Sequence, residues 1–185
     1  MRSLDLLGLR ALRTHLHQPP VEAAVRRFSS LGEHGGIWLA ISLAGAAAAP
    51  VRRPPFLRAA ATIAGAYVAN QAVKVVVRRR RPDLPDLPPL TSTPSQLSYP
   101  SAHATTSFAG ARALAPLLPP APLYALAVSL ALSRPYLGVH YPSDTLAGAV
   151  LGTAVAEIAR GSAARSVKPK AASGTPTAFG MRMRT

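Results

Sequence analysis

Five apolar segments, separated by prolines, make up most of the sequence between residues 35 and 158 and limit what the chain can fold into. They cover about residues 35–49, 57–77, 101–118, 122–133 and 144–158. Prolines such as Pro50, Pro82, Pro100 and Pro142 interrupt the pattern between them, as helix-breaking residues do. The arrangement predicts an all-α fold, an integral membrane bundle of about five spanning helices.

The apolar segments also leave a second interpretation open, a soluble bundle of helices. None of them contains the run of about 20 apolar residues that a single spanning helix needs. Two features favour the membrane. Asn70, Gln71 and Lys74 lie within the second segment, and polar residues inside membrane helices commonly face the bundle interior at functional positions. Gly148 and Gly152 have the spacing that lets helices approach closely in lipid.

The regions outside the apolar segments have different compositions. Residues 1–32 alternate leucine with arginine, which predicts an amphipathic segment at the membrane interface, although an ordinary surface helix has the same pattern. Residues 33–160, which contain the apolar segments, form the predicted main domain. Residues 78–100 are polar and rich in proline, which is typical of a long functional loop. Residues 161–185 predict a disordered basic tail.

The net charge of +14 and the absence of cysteine limit which ligands and which macromolecules the chain can bind. A chain without cysteine has no disulfide bond and no thiolate metal site. Its positive charge attracts polyanions in general. The basic residues do not form one stripe with interleaved aromatic residues, so nucleic acid is not the expected partner. They lie at the edges of apolar segments, as in membrane proteins. The bilayer is therefore an expected partner, an anionic lipid and a phosphorylated substrate are the other candidates that the charge leaves, and the oligomeric state stays open.

Three short polar segments lie where apolar segments begin or end. If every apolar segment crosses the membrane, alternating crossings place all three on one side. Together they offer cationic side chains that bind phosphate and two imidazoles that can act as nucleophile and acid. The segments are Lys74 with Arg81 and Pro82, then Pro100 to His103, then Ser133 and Arg134 with His140 and Asp144.

The spacing of His140 and Asp144 predicts a direct contact between them. Residues four apart on a helix share a face, so the carboxylate of Asp144 can accept a hydrogen bond from the imidazole of His140. Such a bond fixes the tautomer of the ring and stabilises its protonated form. Pro142 fits the first turn of a helix that begins between them. A structural contact between surface residues is the alternative.

These segments resemble the motifs of the type 2 phosphatidic acid phosphatase (PAP2) superfamily, which also includes vanadium haloperoxidases. The family pattern is Lys-x6-Arg-Pro, then Pro-Ser-Gly-His, then Ser-Arg-x5-His-x3-Asp. Every spacing within the motifs matches, and the one departure is Ala102 in place of glycine. The resemblance covers roughly residues 35 to 160. It implies a metal-independent phosphatase that uses no cofactor.

The resemblance also implies a role for each matching residue. His140 attacks phosphorus and becomes a phosphohistidine, while Asp144 orients it. His103 protonates the leaving oxygen and then activates water. The residues that bind the phosphoryl oxygens are Lys74, Arg81, Ser101 and Arg134.

The substrate implied by the resemblance is a lipid phosphate, because the chain is short and rich in apolar segments. The expected bond is a phosphomonoester or a pyrophosphate on a polyprenyl-linked or phosphatidate-type lipid. Arg78, Arg79 and Arg80 are expected to contact headgroups or solvent. The alternative function is a non-catalytic membrane protein that binds anionic lipid through its basic ends. The distribution of cations favours a cytoplasmic tail and an outward-facing site.

Overall fold

The computed structural model describes residues 2–14 and 18–167, and this part of the chain forms seven α-helices. Short 3₁₀ helices at Glu33–Gly35 and Pro50–Arg52 join some of them, and an isolated antiparallel bridge pairs Arg80 with Leu97. The predicted all-α fold is confirmed. The helices are α1 (Arg2–Thr14), α2 (Pro19–Ser30), α3 (Gly36–Ala48), α4 (Arg53–Val77), α5 (Ala102–Leu114), α6 (Pro120–Tyr136) and α7 (Pro142–Val167).

Helix α5 lies at the centre of the bundle. It packs against α3, α4, α6 and α7, and its hydroxyl-bearing residues Thr105, Thr106 and Ser107 are fully buried. Ser101 caps the start of the helix, because its Oγ accepts a hydrogen bond from the backbone nitrogen of Ala104. Serine is a preferred residue at this position because it satisfies a free N–H of the first turn. The second polar segment of the sequence therefore enters the middle of the molecule.

The glycine pair of α7 allows this helix to lie directly against α5. A Cβ atom added at Gly148 would lie 2.6 Å from the backbone oxygen of Ser101. A Cβ atom added at Gly152 would overlap the backbone of Thr105. Only glycine permits so close an approach of two backbones. The structure thus uses this pair as the sequence predicts.

Substitution of Gly152 by alanine is expected to destabilise the fold by about 1–3 kcal/mol, the usual cost of an overpacked interior. Gly65→Ala is the matched control, because nothing lies within 4 Å of a Cβ atom added there. Alanine favours helix over glycine by about 1 kcal/mol, so Gly65→Ala should raise the melting temperature. Thermal unfolding of both variants in the same detergent compares them. Equal melting temperatures would contradict the tight α5–α7 contact.

The outer surface of the bundle carries many large apolar side chains. By length and composition, one helix among the described residues is suited to cross a membrane, the stretch Pro50–Val77. Val68 and Val76 in this stretch are 67% and 81% exposed. Contiguous exposed apolar side chains mark contact with lipid or with another protein. Exposed apolar residues on the other helices include Leu43, Val128, Leu132, Leu146 and Val150.

The N-terminal segment forms two helices that are packed against the bundle. Helix α2 begins at Pro19, since the fixed φ of proline suits a first helical turn. Helix α1 lies against α6 and α7. Leu9 is fully buried in this contact, whereas Leu4 and Leu7 face outward. An apolar outward surface remains on α1, as an interfacial helix requires.

Helix α7 continues beyond the predicted start of the tail. It ends at Val167, so the prediction of disorder from residue 161 is wrong for residues 161–167. Alanine and arginine in this stretch favour helix, and Ser162 Oγ donates to the carbonyl oxygen of Ile158. The next proline in the sequence is Pro169. The rest of the predicted tail, residues 168–185, lies outside the described residues.

Candidate active site

A cavity of about 570 Å³ brings side chains from all three polar segments together. It lies where α4, α5 and α6 meet the loops before α5 and before α7. Ser101 and Asp144 are fully buried behind its wall. Five of the predicted site residues line the cavity itself: Lys74, Arg81, His103, Arg134 and His140.

His140 presents an unprotonated nitrogen to the cavity. Its Nε2 lies 3.0 Å from Nη1 of Arg81. An arginine can only donate, so Nε2 is the acceptor and the ring proton of the neutral form is on Nδ1. Burial lowers the pKa of His140 well below its ordinary value, and the charges of Arg81 and Arg134 lower it further. His140 is therefore neutral near pH 7, with a lone pair on Nε2.

Asp144 lies beside His140 but is held mainly by other groups. Its Oδ2 accepts a hydrogen bond of 2.9 Å from the backbone nitrogen of Tyr141, and its Oδ1 accepts one of 2.8 Å from Arg79. Nδ1 of His140 is 3.6 Å from Oδ2. The predicted hydrogen bond is thus not formed, because His140 precedes α7 and does not lie on its face. Catalytic hydrogen bonds often shorten only when substrate binds.

His103 is held by the C-terminal end of α2. Its Nε2 lies 2.9 Å from the carbonyl oxygen of Ser29. A carbonyl oxygen only accepts, so Nε2 carries a proton. Gly32 lies against the same edge of the ring, since a Cβ atom added there would be 2.7 Å from Cδ2 of His103. Helix α2 therefore fixes both the position and the tautomer of this imidazole.

Two arginines, the buried Arg134 and the half-buried Arg81, make the cavity cationic. Arg134 donates from Nη1 to Oγ of Ser29 at 2.8 Å, while its buried Nε has no hydrogen-bond partner among the described residues. Arg81 donates to the backbone oxygens of Ser95 and Val139. Burial lowers the pKa of Arg81 to about 10, so it stays charged at neutral pH. Cationic groups that are enclosed or half-enclosed by the protein and have unused donors are suited to bind an anion.

Lys74 and Ser101 make their main contacts with the backbone. Nζ of Lys74 donates to the carbonyl oxygens of Leu97, Ser98 and Pro100 at 3.3, 3.4 and 2.9 Å. The ammonium group therefore borders the cavity while it holds the loop before α5. Ser101 caps α5, and its backbone nitrogen donates to the backbone oxygen of Asp144 at 3.0 Å. In this structure the Ser101 hydroxyl stabilises the start of α5, the helix that carries His103, and does not line the cavity.

Ala102, the one departure from the family motif, opens α5 and lines the cavity. Left-handed backbone among the described residues occurs at His34, Gly35, Arg78 and Gly138. Ala102 is not among them, so its methyl group fits without backbone strain.

Arg79, Asp5 and Ser29 are functional candidates that the sequence patterns did not indicate. The expectation that Arg79 contacts headgroups or solvent is wrong, because it bridges Asp5 of α1 and Asp144 of α7. Oγ of Ser29 accepts a hydrogen bond from Arg134. One signal was available for Asp5. Acidic residues are rare in this chain, with seven in the full sequence. A single acidic residue in a basic helix therefore indicates an ion pair with a cationic side chain.

A second set of polar side chains lines the cavity beside the histidines. His34 has a left-handed backbone, with φ of 52°, and a nitrogen of its ring lies 2.9 Å from the hydroxyl of Tyr67. Such conformations cost free energy and cluster at functional sites. Within the described ranges, no three side chains of histidine, aspartate or glutamate are grouped to hold a metal ion. The rest of this set is Glu33, Gln71, Ser92, Thr93 and Ser95.

Comparison with known proteins identifies the class of this helical bundle and its cavity. The family model of the PAP2 superfamily matches residues 55–166. Decaprenylphosphoryl-5-phosphoribose phosphatase of Mycolicibacterium smegmatis is 46% identical over 135 residues, which cover 71% of this chain and 73% of that protein.

Two solved structures share the fold. A transmembrane PAP2-type phosphatidylglycerolphosphate phosphatase from Bacillus subtilis has a TM-score of 0.74 at 24% identity and covers 91% of this chain and 88% of its own. Aquifex aeolicus LpxE has a TM-score of 0.72 at 24% identity, over 85% of this chain and 95% of its own.

These matches confirm the resemblance drawn from the three motifs: the chain belongs to the PAP2 superfamily. Within that superfamily it is an enzyme of the phosphatase type.

Proposed function

We propose that this protein hydrolyses the phosphomonoester of a lipid-linked sugar phosphate, without a metal ion or cofactor, through a phosphohistidine at His140. The observation that carries the proposal is the unprotonated Nε2 of His140 at a cavity that also contains His103, the buried Arg134 and the half-buried Arg81. A neutral imidazole in a cationic, enclosed site is a competent nucleophile for a phosphate dianion.

The first step transfers the phosphoryl group to the enzyme. The incoming phosphate takes over the contact between Arg81 and His140, which frees the lone pair of Nε2. As the Nε2–P bond forms, the bond between phosphorus and the leaving oxygen breaks. That oxygen receives the Nδ1 proton of His103, which enters this step doubly protonated and keeps its Nε2–H on the carbonyl oxygen of Ser29. Asp144 stabilises the positive charge that develops on the ring of His140, as the Nδ1–H moves into hydrogen-bonding distance.

The second step releases phosphate. His103, now neutral, accepts a proton from a water molecule. The water oxygen attacks phosphorus while the Nε2–P bond breaks, and the electron pair returns to His140. In both steps charge spreads over the equatorial oxygens of phosphorus. Arg81 and Arg134 contact these oxygens, and Lys74 adds positive charge from the wall of the cavity.

The second polar set of the cavity supports a substrate with several hydroxyl groups. Phosphoryl transfer itself does not require Glu33, His34, Tyr67 or Gln71, yet they line the same cavity. Carboxylate, imidazole, phenol and amide groups together offer donors and acceptors suited to a sugar. The curated relative is named for a phosphoribose on a decaprenyl lipid, which is a substrate of this kind.

A phosphate-release panel with the purified protein tests this proposal. The substrates are a polyprenyl-linked phosphoribose, a polyprenyl phosphate, a polyprenyl pyrophosphate and a phosphatidate. We expect the highest kcat/KM for the sugar phosphate, inhibition by vanadate as an analogue of the transition state, and no loss with a chelator. Preference for phosphatidate would overturn the substrate assignment, and strong inhibition by chelation would overturn the metal-independent mechanism.

Ser29→Ala is expected to raise KM for phosphate substrates about tenfold, because Arg134 loses its serine partner. Hydrogen bonds to charged groups contribute about 1.5–3 kcal/mol. Ser30→Ala is the matched control, since the adjacent hydroxyl is exposed and, among the described residues, bonds to the backbone of Arg27 alone. Steady-state kinetics of both variants on one substrate measure the difference. An equal KM for the two variants would show that Ser29 does not support the arginine.

For the membrane arrangement, we propose that α3 to α7 all cross the bilayer and that the cavity opens on the outer side. The apolar side chains on the outside of the bundle support the crossings, and the balance of cations in the sequence supports the orientation.

Single cysteines test the orientation, because the native sequence has no cysteine. Ser92→Cys places a thiol at the cavity, and Val51→Cys places one before α4, where Val51 is 95% exposed. A membrane-impermeant maleimide added to intact cells should label Ser92→Cys and not Val51→Cys, whereas lysed cells should show both. The reverse pattern in intact cells would place the site on the cytoplasmic side.

A further inference from the structure

Helix α1 inserts a buried carboxylate next to the candidate catalytic centre. Oδ2 of Asp5 lies 2.8 Å from Nη2 of Arg79 and 2.7 Å from Oγ of Ser143. Oδ1 of Asp5 accepts a hydrogen bond of 3.0 Å from the backbone nitrogen of Ser143. Asp5 thus contacts both the loop after α4 and the first turn of α7, the helix that carries Asp144.

Arg79 connects this carboxylate to Asp144. Its Nη1 donates to Oδ1 of Asp144 at 2.8 Å and to Oγ of Ser143 at 2.7 Å. The guanidinium carbon lies 4.1 Å from the ring centroid of Tyr141. Two carboxylates, one hydroxyl and one aromatic ring therefore hold a single planar cation, whose geometry is suited to such multiple contacts.

The charge state of Asp5 makes this connection strong. Burial alone would raise the pKa of Asp5, but hydrogen bonds from Ser143 and Arg79 outweigh it and lower the pKa below its ordinary value. Asp5 is therefore an anion at neutral pH, and its contact with Arg79 is charge-assisted. Charge-assisted hydrogen bonds are shorter and stronger than neutral ones.

We propose that Asp5 and Arg79 are positioning residues for phosphoryl transfer: α1 fixes Arg79 through Asp5, and Arg79 fixes the carboxylate of Asp144 beside His140. The inference rests on the proposed function of His140 and Asp144. Neither residue lines the cavity, so neither touches the substrate. They affect catalysis by orienting Asp144, in the way that residues hydrogen-bonded to catalytic groups do in other sites.

Other contacts of α1 provide a matched control. Arg10 forms an ion pair of 2.6 Å with Asp86, and both side chains are about half exposed. Arg13 donates to the backbone oxygen of Pro88 at 2.6 Å. These contacts also attach α1 to the loop before α5, but they do not reach Asp144. Loss of the Asp86 contact therefore reports the effect of α1 attachment alone.

The test compares Asp5→Asn, Arg79→Lys and Asp86→Asn in the full chain, with p-nitrophenyl phosphate as the probe. We expect Asp5→Asn and Arg79→Lys to lower kcat by about 10–100-fold, the range for outer partners of catalytic groups. KM should change by less than about twofold, since Arg81 and Arg134 are untouched. The double variant Asp5→Asn/Arg79→Lys should be no slower than Arg79→Lys, because residues that act through one contact are not additive.

A second readout does not depend on turnover. Nitrogen-15 resonances of the His140 ring report its tautomer and its hydrogen bonds, and they should shift in Asp5→Asn but not in Asp86→Asn. If Asp5→Asn does not fold, Arg79→Lys gives the same comparison. Equal kcat and unchanged His140 resonances in all three variants would overturn the inference. An inactive wild-type protein would overturn the proposed function instead, and the resonances would still decide whether Asp5 positions the site.

Discussion

His140→Ala is expected to lower kcat by about 10⁴-fold or more, as removal of a catalytic nucleophile does in other enzymes that form covalent intermediates. No described side chain at the cavity offers an equivalent nucleophile with its lone pair facing Arg81. The measurement is steady-state release of phosphate from a lipid-linked substrate and from p-nitrophenyl phosphate.

His34→Ala provides the contrast within the same cavity. His34 is proposed to contact the sugar and not phosphorus, so its loss should raise KM for the sugar phosphate while kcat on p-nitrophenyl phosphate changes little. Thermal unfolding of both variants shows whether the fold is retained. A folded His140→Ala variant that keeps more than about one per cent of wild-type turnover would be incompatible with a phosphohistidine, and it would favour the alternative of a non-catalytic lipid binder or a different nucleophile.

His103→Ala is expected to separate the two chemical steps. With a lipid phosphate, loss of the general acid should lower kcat by about 10²–10⁴-fold. With p-nitrophenyl phosphate the leaving group needs little protonation, so phosphoryl transfer to His140 continues. The second step still lacks its base, and the phosphohistidine should therefore accumulate.

Accumulated phosphoenzyme has a distinctive chemistry, because a phosphohistidine is labile in acid and stable in base. Mass spectrometry of His103→Ala after incubation with p-nitrophenyl phosphate should find the phosphoryl group on His140, together with a burst of nitrophenol. The double variant His103→Ala/His140→Ala is the control and should show neither. A folded His103→Ala variant that hydrolyses both substrates at the wild-type rate would remove His103 from the mechanism.

Much of the site follows from the sequence, because the motif residues lie at the ends of predictable helices. Apolar segments with prolines between them specify helices that run in alternating directions, so polar residues at alternate ends meet on one side. That logic predicts the meeting of Lys74, Arg81, His103, Arg134 and His140, and all five line one cavity. The spacing of Gly148 and Gly152 predicts a close helix contact in the same way, although it does not name α5 as the partner.

The tertiary structure alone decides which side chains from distant segments complete the site. Periodicity shows which surface of a helix is buried but not what it is buried against. Asp5 meets Arg79 and Ser143 only because α1 folds back onto α6 and α7. In the same way, Ser29 meets Arg134 and His103 only because α2 ends beside them. The residues that carry out the chemistry lie in short local motifs, which the sequence shows directly. The contacts that orient these residues come from helix packing, which depends on the whole chain.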